Sequence, residues 1–223
     1  MKTLIVAAIR CALMFLVPSV TYASSAQWDL DPISGDWNTA ANWTPNGVPN
    51  GPADIATFGL SNTTNVSISE DTEVAGVTFT SAATNPYTIA ASSGLTLTIS
   101  GTGIINNSGI TQNFVTNGVD AGINFTNNAT AGSFTSFTNN HGVNNFLGGH
   151  TYFFDTSTAG NATFINQNGA VNGVFQGFAT FFDSSTAGNG VLINKGSTII
   201  NEGDGGATRI CRHLKRRQRH DHK

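Results

Sequence analysis

The sequence contains very little cysteine. Its 223 residues include only Cys11 and Cys211, so the long region between them has none. This absence excludes disulfide cross-links, cysteine-ligated zinc and a cysteine nucleophile from that region.

Basic side chains and charge in general are equally scarce. Charged residues make up 10% of the chain, and residues 24–208, here called the body, contain twelve Asp or Glu against one basic residue, Lys195. The resulting net charge of about −11, by direct count, argues against binding of nucleic acid or of an anionic membrane. Gly, Asn, Thr and Ser are abundant instead, and Phe, Ile and Val recur at short intervals. This composition favours a repetitive all-β protein over a disordered chain or a compact cytosolic enzyme.

The N-terminus has the pattern of a secretory signal peptide, predicted for residues 1–26. Lys2 and Arg10 supply the positive end, "CALMFLVPSV" the apolar stretch and "TYASSA" the small-residue exit, with cleavage after Ala23 or after Ala26. The apolar stretch is too short to span a bilayer. Export without cysteine fits many bacterial surface proteins, so we expect an exported protein at the cell surface or outside a Gram-negative cell.

An internal repeat with a period of 28 residues occupies the second half of the chain. Residues 153–180 align without a gap on residues 181–208, with 13 identical positions. A more divergent copy covers residues 125–152 and keeps the "TAG" at residues 130–132. A fixed period of this length indicates stacked structural units.

Each unit contains three short apolar segments separated by turn residues. The segments 162–166, 170–175 and 178–182 are rich in β-branched and aromatic residues, which predicts strands. Three strands per unit predict an all-β, right-handed parallel β-helix, in which each strand pairs with its own copy and apolar side chains form inward ladders. An up-and-down sandwich is the alternative architecture.

Two polar positions recur in the repeat. Asn166 and Asn194 are predicted to stack on one another, although the backbone geometry of a turn also favours Asn at such a place. Asp155 and Asp183 begin the "D[TS]STAGN" turn, where a carboxylate can accept hydrogen bonds from N–H groups two residues further on. Recurrence in every unit favours structural roles, because a catalytic residue normally occurs once.

The three tryptophans lie close together, at Trp28, Trp37 and Trp43, in a stretch that continues with several prolines. The first coil of a solenoid must be covered, since an open strand edge and the end of the core would otherwise face water. We therefore predict that the tryptophans cap the solenoid. An aromatic platform for carbohydrate is the alternative.

The pattern "W…G.W…ANW…G.P….D.A.F" in residues 28–58 resembles the start of passenger regions in bacterial autotransporter-like and adhesin-like surface proteins. The "STAGNATFIN" units resemble the β-strand repeats that follow in such proteins, so the resemblance covers most of residues 28–208. It implies a stalk with an adhesive or display role, continued by further repeats and a C-terminal outer-membrane barrel or other anchor. Host-surface or matrix ligands, or glycans, are the implied partners.

Catalysis has little support in the sequence. Polysaccharide-active β-helices need two carboxylates facing each other across a cleft. The candidate acids and bases of the body are Glu70, Asp71, Glu73, Asp29, Asp31, His141 and His150. All lie in polar, turn-like sequence, and no nucleophile, zinc or nucleotide motif is found. We therefore expect no enzyme, no catalytic, cofactor or metal site, and no cofactor; a secreted lyase or glycosidase using Glu70 or Asp71 is the alternative.

The basic tail, residues 209–223, interrupts the repeat. A functional arm would bind polyanions through Lys and Arg, or a metal through His213, His220 and His222. However, codons that encode residues 210–221 can also be read from their second base as Tyr-Ala-Asp-Thr-Ser-Ser-Ala-Gly-Asn-Ala-Thr-Thr. This sequence restores the repeat one residue out of phase, so we predict that the tail is out of frame.

The predicted organisation therefore has four parts. They are a signal peptide (1–26), a Trp/Pro-rich cap (27–63), β-helix repeats (64–208) and an aberrant tail (209–223). The chain is expected to be a piece of a longer exported protein, with a non-functional truncated product as a further alternative.

Overall fold

The computed structural model of the protein describes residues 24–143, 147–169, 174–197 and 205–211, and these form strands and turns without an α-helix. A short 3₁₀ helix covers Ala40–Asn42. The strands are β1 Ala26–Trp28, β2 Trp43–Thr44, β3 Gly51–Phe58, β4 Asn65–Ser67, β5 Thr72–Phe79, β6 Thr88–Ser92, β7 Thr96–Asn106, β8 Gln112–Asn117, β9 Gly122–Phe125, β10 Thr135–Asn139, β11 His150–Phe153, β12 Thr163–Asn166, β13 Phe178–Phe182, β14 Val191–Asn194 and β15 Ala207–Cys211.

The strands build a parallel β-solenoid of about six coils with about 27 residues each, as the repeat predicts. One sheet has the order β15-β13-β11-β9-β7-β5-β3-β1-β2, and the other has the order β14-β12-β10-β8-β6-β4. Each strand from β3 to β13 pairs in parallel with the equivalent strand of the next coil. Parallel pairing already joins β1 to β3, so the solenoid starts within the stretch predicted as the cap.

The third side of the coil differs from the prediction. It consists of isolated bridges that join Thr130 to Thr158 and Thr158 to Thr186, inside the "STAGN" segment that the sequence predicts as turn. Of the predicted strand at 170–175, residues 170–173 lie outside the described part, and Val174 and Phe175 are not in a strand. A single Thr bridge suffices on this side because Gly160 and its equivalents turn the chain directly afterwards, with φ of +61° at Gly160.

Aromatic ladders fill the core. Phe125, Phe153 and Phe181 occupy the same register position of successive coils, with ring centroids 4.8 and 4.7 Å apart. A second ladder contains Phe114, Phe137 and Phe164, with centroid distances of 4.9 and 4.7 Å. Burial of each ring contributes about 1.5–3 kcal/mol, so these ladders are a main source of stability.

The predicted asparagine stack is present. Asn139 donates from Nδ2 to Oδ1 of Asn166 at 2.8 Å, and Asn166 donates in turn to Oδ1 of Asn194 at 2.8 Å. Asn139 and Asn166 are fully buried. Each side-chain amide therefore satisfies its neighbour, as a buried polar group requires.

The recurring aspartates have a different hydrogen-bond partner from the predicted one. The Oδ2 atom of Asp155 accepts from the N–H of Asn127 at 2.8 Å, and that of Asp183 accepts from the N–H of Asp155 at 3.4 Å. These donors belong to the preceding coil rather than to the aspartate's own turn. Asn127, Asp155 and Asp183 all have φ between +51° and +55°, a left-handed conformation that Asn and Asp adopt more readily than most residues.

The three tryptophans close the N-terminal end. Trp28, Trp37 and Trp43 are fully buried, and Trp43 lies 5.0 and 5.1 Å from the other two rings and 5.5 Å from Phe58. Their Nε1 groups donate to backbone carbonyls at 2.9, 3.0 and 2.6 Å, so the indoles are satisfied inside the protein. This packing agrees with a cap and leaves no indole face available to a sugar. The short antiparallel β2 covers the edge of β1.

The last strands of the described residues are β14 and β15. Val191 and Ile210 are 53% and 65% exposed there. Ile210 pairs with Phe181, which is one residue later than a 28-residue period gives. This register has the same one-residue offset as the alternative reading frame of the tail, whose residues beyond 211 lie outside the described part.

Candidate functional site

Two of the acids considered for catalysis share one surface groove. Asp71 and Glu73 line a cavity of about 340 Å³ together with Asn50, Thr72, Thr96 and Thr98. Oδ1 of Asp71 accepts from the N–H of Thr96 at 2.9 Å, and the N–H of Glu73 donates to Oδ1 of Asn50 at 3.0 Å. The Asp71 carboxylate thus links neighbouring coils, which is a structural task.

Glu70 does not line this groove. Its Oε1 atom is 3.4 Å from Nδ2 of Asn38, on the turn before β5. The structure therefore brings Asp71 and Glu73 together and places Glu70 beside them on exposed surface.

The acids near the tryptophans also connect turns. Asp29 accepts from the hydroxyl of Thr44, and Asp31 accepts from the side-chain amide of Asn62. Asp36 lies nearby and was not considered from the sequence. Burial raises the pKa of Asp36, but hydrogen bonds from Thr39, Ser69 and the backbone of Asn38 outweigh burial and hold this pKa below its usual value.

The two body histidines are far from these acids in sequence. His150 is 5% exposed, its ring stacks on Tyr152 at 4.1 Å, and its Nδ1 atom lies 3.7 Å from Oδ1 of Asp120. Burial lowers the pKa of His150, and the attraction of Asp120 offsets this effect only in part. Nδ1 of His141 lies 2.8 Å from the carbonyl of Gly142.

Metal binding through the tail cannot be placed on the structure, because His213, His220 and His222 lie outside the described residues. Within the described ranges, no group of three or more His, Cys, Asp or Glu is positioned to hold a metal ion. In the same part of the chain, no helix has the length and apolar character that crossing a membrane would need.

A second groove was missed by the sequence reasoning. It has a volume of about 410 Å³ and is lined by Thr111, Ser133, Phe134, Thr135, Asn161 and Thr163. Phe134 is 60% exposed at its edge, with φ of +53°. The signal was present in the sequence, since "TAGSFTSFTN" (130–139) matches "TAGNATFIN" (158–166) only if one residue is added. The ungapped alignment concealed this extra residue.

The groove combines one exposed aromatic ring with hydroxyl and amide groups, and none of its lining side chains is charged. Its volume falls in the range of about 300–1,000 Å³ that is usual for small-molecule sites. No family model, no curated protein and no solved structure matches the chain significantly, so comparisons with known proteins do not assign a ligand to this groove.

Proposed function

We propose that this chain is part of an exported, autotransporter-like surface protein, in which a β-solenoid stalk displays or carries adhesive surface and performs no catalysis. The observation that carries this proposal is the use of the recurrent polar residues. The Asn139–Asn166–Asn194 stack and the Asp155 and Asp183 carboxylates bind neighbouring coils, so the repeat is devoted to elongation of the solenoid.

The buried tryptophan cap supports the same proposal. A solenoid closed at its N-terminal end and stacked in one direction forms a rod, and rods hold a binding surface away from a cell. The acidic body, with twelve acids against Lys195, fits a soluble surface in an extracellular medium.

Export is tested by producing the full chain with its own first 26 residues in a Gram-negative host. We expect a shortened protein in the periplasm or the medium, detected by intact mass. A full-length product retained in the cytoplasm would contradict the proposed export. Deletion of residues 2–22 is the matched control and should abolish translocation.

Polysaccharide cleavage is a second candidate, because Asp71 and Glu73 share a groove. The purified protein is incubated with neutral and acidic polysaccharides, and new reducing ends and unsaturated products are measured. We expect no turnover. Activity that disappears in Asp71→Asn and Glu73→Gln, but survives in Asp29→Asn, would establish the enzyme and overturn the proposed role.

The out-of-frame tail remains a prediction that the nucleotide sequence tests directly. The one-residue offset of β15 supports it, because Ile210 stands opposite Phe181. If the alternative frame beyond codon 208 stops at once or loses the repeat, the tail is a genuine part of the protein.

A further inference from the structure

The Phe134 loop contains one residue more than the equivalent loop of the next coil. On its N-terminal side, Nδ2 of Asn161 donates to Oγ of Ser133 at 2.8 Å, which fixes these two residues as equivalents. On its C-terminal side, Ser136 pairs with Thr163. Two residues stand between Ser133 and Ser136, but only Ala162 stands between Asn161 and Thr163.

Phe134 is the added residue. Thr135 is 3% exposed and Ala162 is fully buried, so these two occupy the same inward position. Phe134 is left without an equivalent in the next coil, and its ring is 60% exposed. The next coil closes without such a residue, so closure of the coil does not explain the phenylalanine.

The backbone at Phe134 is strained and firmly held. Its φ of +53° lies in the left-handed region, which bulky side chains rarely adopt and which is unfavourable for L-residues. The carbonyl of Phe134 accepts from Nδ2 of Asn106 at 2.7 Å and from the N–H of Gln112 at 2.9 Å. A strained, exposed aromatic that is fixed in place from behind is better explained by binding than by stability.

The chemistry of the groove identifies the class of ligand. A phenyl ring offers an apolar face to the C–H face of a sugar ring, and the hydroxyls of Thr111 and Thr163 can bind sugar hydroxyls at its edge. The groove carries no cation to hold a sulfate or carboxylate. The negative charge of the body, about −11 by count over residues 24–208, repels anionic glycans.

We propose that the Phe134 groove binds a neutral polysaccharide, with the Phe134 ring as the platform for one sugar unit. This inference rests on the proposed adhesive role and specifies its ligand. It predicts that the ring contributes to binding at the expense of stability, a combination that a structural residue would not show.

The test measures binding of the purified full chain to soluble β-1,4-glucan, N-acetylglucosamine oligomers and mannan by affinity electrophoresis, with heparin and alginate as anionic probes. We expect at least one neutral glycan to bind, Phe134→Ala to weaken it roughly tenfold or more, and Phe134→Trp to retain it. Phe175→Ala, which removes another exposed ring (38%), is the matched control and should leave binding unchanged.

A stability measurement separates this proposal from a packing role. Phe134→Gly should raise the urea midpoint, because glycine adopts positive φ without strain, while binding is lost. If Phe134→Ala binds as well as the wild type, or if only heparin and alginate bind, the groove proposal is overturned while an adhesive stalk stands. If no probe binds, the neutral-glycan ligand is overturned, and export is unaffected.

A separate observation concerns the N-terminus. Asp54 is 4% exposed, and its carboxylate accepts from the N–H of Ser24 at 2.5 Å and of Asn50 at 3.0 Å. A buried carboxylate needs a compensating partner. The only Lys and Arg of the described residues, Lys195 and Arg209, belong to coils far along the solenoid from Asp54.

The two predicted cleavage positions have different structural consequences. Hydrolysis of the Ala23–Ser24 peptide bond adds water across the amide, so that Ala23 leaves with the new carboxylate and Ser24 keeps an ammonium group beside Asp54. Cleavage after Ala26 instead removes Ser24 and its hydrogen bond to Asp54. It also removes Ser25, whose Oγ accepts from the N–H of Ile55 at 2.9 Å, and Ala26, the first residue of β1.

We infer that processing occurs between Ala23 and Ser24 and that the new N-terminal ammonium forms an ion pair with Asp54. This inference also rests on the proposed export. N-terminal sequencing of the exported protein should give Ser24 as the first residue. A first residue of Gln27 would overturn the cleavage position while leaving export intact, and a cytoplasmic product that keeps Met1 would overturn export itself.

The ion pair is tested on protein released from a fusion with Ser24 at its N-terminus. Acetylation of that amine should lower the urea midpoint, and Asp54→Asn should remove the difference between free and acetylated protein. An equal effect of acetylation in both backgrounds would overturn the ion pair. Acetylation of Asp31→Asn protein is the control and should act as in the wild type.

Discussion

Asn166 is the residue whose removal should test the stacking mechanism most directly. Its side chain accepts from Asn139 at 2.8 Å and donates to Oδ1 of Asn194 and to the carbonyl of Ala207, both at 2.8 Å. The residue is fully buried, so water cannot replace these bonds without a change in the packing. Asn166→Ala should therefore destabilise the last coils.

The magnitude follows from the partners that are left behind. Asn139 is 1% exposed, and an unsatisfied buried amide costs about 1–3 kcal/mol. Asn194 and Ala207 are more accessible, so each lost bond there costs about 0.5–1.5 kcal/mol. The expected loss is about 2–6 kcal/mol, a large part of the roughly 5–15 kcal/mol that holds a typical domain together.

Urea unfolding, followed by far-UV circular dichroism in both the unfolding and the refolding direction, measures this loss. Asn189→Ala is the matched control, because Asn189 also donates to an asparagine, Asn161, but at an exposed position and at 3.3 Å. It should change the free energy of unfolding by less than about 0.5 kcal/mol. An Asn166→Ala protein within that same margin of the wild type would refute the stacking argument.

Three further perturbations address the core, the acid range and the alkaline range. Trp43→Ala should lower the free energy of unfolding in urea by about 3–5 kcal/mol, because it empties the centre of the cap. The control Ile33→Ala, at a residue that is 75% exposed, should lower it by less than about 0.5 kcal/mol. Equal effects of the two substitutions would refute the cap. Burial raises the pKa of Tyr87 to about 12, so stability should be complete below pH 10 and fall by up to about 2–3 kcal/mol as the pH rises through 12. Tyr87→Phe should lose that alkaline dependence, and an unchanged dependence would contradict the assignment. Burial lowers the pKa of His150, so its contribution to folding stability should be present above pH 6.5 and be lost as the pH falls below that value. In thermal melts at pH 7 and 5, His150→Gln should lose less stability on acidification than the wild type. An equal loss would place the acid sensitivity at another group.

Much of the fold could be predicted because a solenoid places equivalent residues on top of one another. The Phe153 and Phe181 ladder and the Asn166 and Asn194 stack are visible in one dimension as a 28-residue period. Identical neighbours satisfy each other in such a stack, so the same residue is favoured in every coil. The burial of the tryptophans followed from the same logic, since the first coil has no neighbour to cover it.

The candidate groove could not be found by the same reasoning, because it depends on where the period fails. Phe134 is an extra residue relative to the next coil, and an alignment of whole units treats it as divergence. Only the register of β10 on β12, with Ser136 opposite Thr163, shows that the extra residue is pushed outward.

The period and the inward aromatic residues can be read from the sequence, since both repeat along the chain, whereas the pairing on the third side of the coil cannot. Only the three-dimensional structure shows which backbone N–H groups the buried and turn carboxylates meet. Asp155 accepts from Asn127, and Asp54 accepts from Ser24, at separations of 28 and 30 residues. Such contacts depend on the register of the coils, and a shift of one residue would bring different N–H groups to each carboxylate. The physical reason is that hydrogen bonds act over about 3 Å, whereas a sequence pattern fixes only the order of the residues.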